Sequence, residues 1–179
     1  MNWDLTGKYL LLFLTDGVLG YFLQFIGYSL AIHAFNKRKI EAKSFVLMTL
    51  VFSVFAFGVR RLPISYGFHT VIIMIICILV SYIIFKTAIY KTVLSVLLTT
   101  ISILIFEIIL INVFSYAFGV EKLEAIFQNN SSVDGMINIA LLGFPTNFLL
   151  LTEMITLYCV LMKKSKRDGS NGEISKENC

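Results

Sequence analysis

The chain has 179 residues, of which 58% are hydrophobic and 15% are charged, and its mean hydropathy is +0.84. Soluble globular domains carry about 45–50% apolar and about 25% charged residues, so this composition argues against an ordinary soluble domain. The net charge of +4 raises the question of nucleic acid, but the basic residues form short clusters between apolar runs rather than one basic face. We therefore predict no nucleic-acid partner and a lipid bilayer as the surrounding medium.

Five apolar segments emerge when the sequence is divided at its charged residues. A helix needs about 20 largely apolar residues to cross the hydrocarbon. The second segment has only 16 residues, so we expect it to continue through Arg60, Arg61 and Leu62. The pattern predicts an all-α, polytopic integral membrane helix bundle of about five transmembrane helices, which span roughly Tyr9–Phe35, Ser44–Val59, Phe68–Phe85, Thr92–Val120 and Ile137–Met162.

Two polar regions complete the predicted organisation. The segment that starts at Glu121 places Leu123, Ile126 and Phe127 at helical spacing opposite charged residues, which predicts a short amphipathic helix on the membrane surface. The last residues are polar and show no periodicity, which is typical of disorder. We therefore divide the chain into a transmembrane helical domain, residues 1–164, and a disordered cytoplasmic tail, residues 165–179.

Lysine and arginine residues predict the orientation. Ten of them fall in the first and third connections and within the five residues 163–167 that follow the last segment, whereas four lie on the other side. The positive-inside rule then places the N-terminus outside and the C-terminus in the cytoplasm of a multi-pass cell-membrane protein. The four residues predicted outside are Lys8, Arg60, Arg61 and Lys122.

Three acidic residues are predicted to lie at membrane depth. Glu107 is near the middle of the fourth segment, Glu153 is in the fifth, and Asp16 is about two turns into the first. Charged residues at a helix centre cost about 2.5–3.5 kcal/mol on insertion scales and are therefore functional candidates. Arg60 or Arg61, at the outer end of the second segment, lies at a depth where it could pair with Asp16.

Two interpretations of the deeper acids stay open. Glu107 and Glu153 could form a proton- or cation-responsive site or the polar floor of a ligand pocket. They could equally be protonated groups that hydrogen-bond between helices and hold the bundle together. The spacing of histidine, cysteine and acidic residues predicts no metal site, and nothing in the chain predicts a cofactor.

Residues 59–70, VRRLPISYGFHT, resemble a motif in the amino-terminal transmembrane sensor module of GHKL-type sensor histidine kinases of Gram-positive bacteria. That motif runs from a basic residue or pair through Leu-Pro, an aromatic residue and Gly to His-Thr. The likeness extends more weakly over about residues 44–162. In the kinases a dimerisation helix and an ATP-binding domain follow the last span, whereas 17 residues follow here, so the resemblance implies a sensor without its kinase domain.

Elementary chemistry explains the motif as a turn at the outer interface. Pro63 restricts Leu62 to extended geometry and ends the second helix. Gly67 permits a reversal of the chain. His69 then opens the third helix close to solvent, where its imidazole could titrate. The motif is therefore either a structural turn or part of a ligand- or pH-sensing surface.

The leading functional hypothesis is a stand-alone membrane sensor or regulatory module. It would act through contacts with another membrane protein or with a second copy of itself, without catalytic activity of its own. One alternative is a membrane peptidase that processes a signalling peptide through His69 and Cys77, but eight residues along one helix separate these side chains by about 12 Å. Another alternative is a small-solute-binding subunit of a transporter.

Overall fold

The fold is a bundle of α-helices, and no strand occurs in the part of the chain that the structure describes. A computed structural model describes residues 3–60, 62, 67–129 and 132–177, without the side chains of residues 3–5, 18, 19 and 166–177. The first helix is continuous and has a π-helical middle, π1, between two α-helical parts, α1 and α2. The elements are α1 Trp3–Leu12, π1 Phe13–Phe22, α2 Leu23–Phe35, α3 Ala42–Val59, α4 Phe68–Ile83, α5 Ile89–Phe118, α6 Val120–Gln128 and α7 Val133–Glu177.

Four of these helices are long and apolar enough to cross a membrane. They are the first helix over Thr6–Phe35, α3, α5, and α7 over Val133–Ser165. The helix α4 is apolar but has 16 residues, which rise by about 24 Å against a hydrocarbon core of about 30 Å. The predicted all-α helical bundle is confirmed, while the count of five spans and the orientation of the termini stay predictions.

The second helix differs from its predicted course. It ends at Val59, where Arg60 caps its last turn, so the extension that we expected through Arg60 to Leu62 is wrong. The helix instead begins earlier, at Ala42, and reaches 18 residues. The physical reason is length, because 18 residues rise by about 27 Å and approach the hydrocarbon thickness of about 30 Å without the extension.

The core lies between the first helix, α3, α4, α5 and α7. At its centre α2 and α7 approach closely, because Gly27 has no side chain and a Cβ there would lie 2.9 Å from Cδ2 of Leu150. The face that α5 turns to this core carries small polar residues at helical spacing, which allows close packing of membrane helices. These small polar residues are Thr92, Ser95, Thr99 and Thr100, and Val96 and Ile103 are buried on the same helix.

Hydrogen bonds between helices accompany this packing. The hydroxyl groups of Tyr28 and Thr100 lie 2.8 Å apart, and Thr49 donates to Ser29 at 3.0 Å. A polar side chain in hydrocarbon needs such a partner, since no water is there to supply one. The bonds therefore hold α2 in register with α3 and α5.

The first and third connections meet at one end of the bundle. Arg38 donates hydrogen bonds to the carbonyl groups of Phe85 and Lys86, and the backbone N–H of Ala88 donates to Asn36. The hydroxyl of Tyr158, on α7, accepts a bond from the N–H of Ile40. This end gathers the connections that the positive-inside rule assigns to the cytoplasm, and we call it the basic end.

The opposite end carries the amphipathic helix. Its helical conformation over Val120–Gln128 is confirmed, and Leu123 is buried while Val120 is exposed. Gly119, with φ of +88°, connects α5 to α6. The position of α6 on the membrane surface stays a prediction. The disordered tail over residues 165–179 also stays a prediction. The backbone of α7 is helical as far as Glu177, and its side chains beyond Ser165 lie outside the described ones.

Candidate functional site: a polar cavity between four helices

A cavity of about 440 Å³ opens between the first helix, α5, α6 and α7, at the end of the bundle opposite the basic end. We call it the polar cavity. Ligand sites are commonly clefts of about 300–1,000 Å³ with an apolar lining and a few polar groups. Its polar lining consists of Asp16, Tyr21, Gln24, Arg60, Glu107, Thr146 and Asn147.

The first helix contributes to the cavity through its π-helical part. Asp16 and Gly20 lie in π1 and line the cavity wall. A π-helix closes its backbone hydrogen bonds over five residues rather than four, and such segments are rare and frequently occur at functional sites. Across the cavity Asn147 of α7 donates a hydrogen bond to the carbonyl of Gly20 at 3.1 Å. The π-helical wall is thereby held against α7.

Arg60 is positioned by an aromatic neighbour. Its Nη1 donates a hydrogen bond to the hydroxyl of Tyr21 at 3.2 Å, and its guanidinium carbon lies 4.8 Å from the centre of the same ring. Cation–π contacts of this kind hold a guanidinium over a ring face. The prediction that Arg60 lies at the depth of Asp16 agrees with the cavity, which both residues line. The hydrogen-bond partner of Arg60, however, is Tyr21.

Glu107 lines the cavity from α5. Within the described part of the chain its carboxylate makes no hydrogen bond and no ion pair. Three apolar residues follow it along the same stripe of the helix, at the i+3, i+4 and i+7 positions, and also line the cavity: Leu110, Ile111 and Phe114. An acid at this depth without a partner is a candidate for contact with a ligand.

Glu153 occupies a different place. The hydroxyl of Ser102 on α5 donates to its Oε1 at 3.1 Å, while its Oε2 is buried and has no hydrogen-bond partner among the described residues. Glu153 is not part of the cavity lining as the structure describes it. The two deep acids that the sequence grouped as possible members of one site therefore lie apart, and the contact with Ser102 is of the interhelical kind.

The kinase-like motif lies beside this end of the bundle. Gly67 has a φ of +99° and stands at the start of α4, which agrees with the predicted reversal of the chain there. Nε2 of His69 donates to the carbonyl of Leu62 at 3.2 Å. The predicted site residues Arg61 and Pro63 lie outside the described residues.

The peptidase alternative depends on His69 and Cys77, which both lie on α4. Cys77 is 1% exposed in the core, whereas His69 is half-buried at the start of the helix. Among the described residues no three histidine, cysteine or acidic side chains are close enough to hold a metal ion.

Sequence reasoning missed Tyr21 and α6 as parts of the site. Tyr21 is 7% exposed and resembles any other aromatic residue of an apolar helix, so only its contact with Arg60 distinguishes it. Leu123 and Phe127 line the cavity from α6. The amphipathic pattern predicted their shared face but not what that face covers. No family model, no curated protein and no solved structure matches this chain, so any function is argued from the sequence and the cavity.

Proposed function

We propose that this protein is a membrane sensor or regulatory module that binds a small ligand in the polar cavity and acts through contacts with another membrane protein. The single observation that carries this proposal is the cavity itself, where Asp16, Arg60 and Glu107 come together from three distant parts of the chain. Charged side chains at membrane depth are costly, and ligand binding in a shared cavity would account for their position there.

Ligand binding is supported by the composition of the cavity wall. A few polar groups stand among aliphatic and aromatic side chains, which is the arrangement that fixes the orientation of a small molecule while apolar contacts bind it. The volume of about 440 Å³ lies within the usual range for such ligands. Binding without chemistry of its own is the simplest use of this site.

A regulatory role is supported by the course of the helices that form the wall. The first helix runs from the cavity, at Asp16, to the basic end, at Asn36, where it meets the third connection. The helix α7 likewise runs from Asn147 at the cavity to Tyr158, which bonds to the first connection. A ligand that binds one arrangement of these helices better than another would shift the equilibrium between them. The basic end would then present a changed surface to a partner.

The cavity also suits a second candidate function, a small-solute-binding subunit of a transporter. Both functions require a ligand, and they differ in the event that binding triggers. A transporter subunit moves the solute across the membrane, whereas a sensor alters its contact with a partner. Uptake of solute by cells is therefore the measurement that separates them.

A substitution that fills the cavity tests the proposal. Gly143 lines the cavity, and a Cβ there would meet nothing within 4 Å, so Gly143→Phe should be tolerated while its ring occupies the ligand space. Gly58 is equally open but is exposed on α3 outside the cavity lining, and Gly58→Phe is the matched control.

The full-length protein is cross-linked in the membranes of living cells, and the products are identified by mass spectrometry. We expect a membrane partner whose cross-linking yield changes severalfold in Gly143→Phe and stays unchanged in Gly58→Phe. Recovery of the chain alone, or of a partner whose yield is the same in all three proteins, would contradict the proposal. Loss of solute uptake in Gly143→Phe without a change of partner would favour the transporter subunit.

A further inference from the structure

The described lining of the polar cavity carries more acidic than basic groups. Its described lining contains two carboxylates, on Asp16 and Glu107, and one guanidinium, on Arg60. The guanidinium is already engaged, because it stacks on the ring of Tyr21 and donates to the hydroxyl of that residue. Glu107, in contrast, has neither a hydrogen bond nor an ion pair in the described part of the chain. Glu107 is therefore an acidic group of this lining that has no bonded partner among the described residues.

Apolar side chains line the same cavity as Glu107. One turn further along α5, Leu110 and Ile111 line the cavity, followed by Phe114. Phe127 of α6 and Ile139 of α7 contribute to the same cavity. Burial of a ligand's apolar surface against these side chains favours binding in proportion to the area removed from water. The cavity thus offers one site for a cation and a wall for a hydrocarbon or aromatic body.

We propose that the polar cavity binds an organic amine, with its ammonium group on the carboxylate of Glu107 and its apolar body against Leu110, Ile111 and Phe114. This inference rests on the proposed function and names the class of its ligand. An organic anion of the same size would meet the like charges of Glu107 and Asp16, which repel it. A bare metal ion would leave the apolar wall uncovered.

The experiment uses two soluble probes of matched size and opposite charge, phenethylamine and 3-phenylpropionate, at pH 7, where both are ionised. Thermal unfolding of the full chain in detergent is followed with a thiol-reactive dye. Cys77 is 1% exposed and reacts when the bundle opens. A background with Cys159→Ser and Cys179→Ser removes the other two thiols.

Three variants identify the binding group. Glu107→Gln keeps the shape of the side chain and removes its charge. Glu153→Gln makes the same change in a membrane helix, at a carboxylate that is bonded to Ser102 and is not part of the described cavity lining. Gly143→Phe fills the cavity. A hydrogen bond to a charged group contributes about 1.5–3 kcal/mol, so its loss should weaken binding about ten- to hundredfold.

We expect phenethylamine to raise the unfolding midpoint of the parent protein and of Glu153→Gln. The same rise in Glu107→Gln should need at least about tenfold more amine. Gly143→Phe should show no rise. Equal responses of Glu107→Gln and the parent, or no response of any protein, would overturn the inference. Stabilisation by 3-phenylpropionate that Gly143→Phe abolishes would also overturn it. That last result would leave the proposed function in place, since the cavity would still bind a ligand.

Discussion

The side-chain amide of Asn147 donates a hydrogen bond to the backbone carbonyl of Gly20 at 3.1 Å. The bond joins α7 to the π-helical part of the first helix, and these residues are 127 positions apart in the chain. Both residues line the polar cavity. One contact thus serves the packing of the bundle and the shape of its site.

Asn147→Leu should destabilise the bundle, because it removes this bond from a position that is 8% exposed. Hydrogen bonds between membrane helices contribute about 0.6 kcal/mol on average and at most about 1.7 kcal/mol. Asn112→Leu is the control, since Asn112 is exposed and, within the described part of the chain, bonds only to the carbonyl of Ile108 on its own helix. Unfolding in mixed detergent micelles measures the difference. An equal loss of stability in both variants would show that the bond to Gly20 stabilises the bundle no more than a bond within one helix does.

Gly27→Val should destabilise the contact between α2 and α7. The added side chain would collide with Leu150, whose Cγ and Cδ2 would lie 3.1 and 2.9 Å from the new Cβ. Leu150 is fully buried and has little room to move, and overpacking of this kind costs about 1–3 kcal/mol. Gly58→Val, at an open position, should cost much less.

A second substitution makes this test specific. Leu150→Ala removes the atoms that the new valine would meet, so the double variant Gly27→Val with Leu150→Ala should be more stable than the sum of the two separate changes predicts. The same free energy of unfolding is measured for all four proteins. Strict additivity would mean that Gly27 acts through its own helix rather than through its contact with Leu150.

The sidedness of the bundle can be read from cysteine labelling. In a background with Cys159→Ser and Cys179→Ser, an impermeant maleimide should label Lys122→Cys in intact cells. It should label Lys37→Cys and Lys86→Cys only after permeabilisation, because the positive-inside rule places both connections in the cytoplasm. The structure brings these two connections to the same end, where Arg38 bonds to the carbonyl of Lys86.

Two outcomes would contradict this orientation. Labelling of Lys37→Cys in intact cells would reverse the bundle. Labelling of Lys37→Cys and Lys86→Cys from opposite sides would mean that α3 and α4 do not both cross the membrane. The second outcome bears directly on α4, which with 16 residues is the shortest of the apolar helices that pack into the bundle.

The sequence by itself determined the class of this protein, because runs of apolar residues of membrane length follow from the solvent that surrounds them. It also determined the amphipathic helix at Val120–Gln128 and the reversal at Gly67, since helical spacing and a positive φ are local properties. The contact between Arg60 and Tyr21 could not be predicted from local pattern, because these residues are 39 positions apart in the chain.

Only the tertiary structure decided which polar residues share a site. The sequence ranked Asp16, Glu107 and Glu153 alike by their depth, but depth along a helix says nothing about the direction in which a side chain points within a bundle. Packing turned Glu107 into the cavity beside Asp16 and Arg60 and turned Glu153 towards Ser102. Contacts between distant segments depend on how whole helices rotate and approach one another, and that information is not contained in any single stretch of the chain.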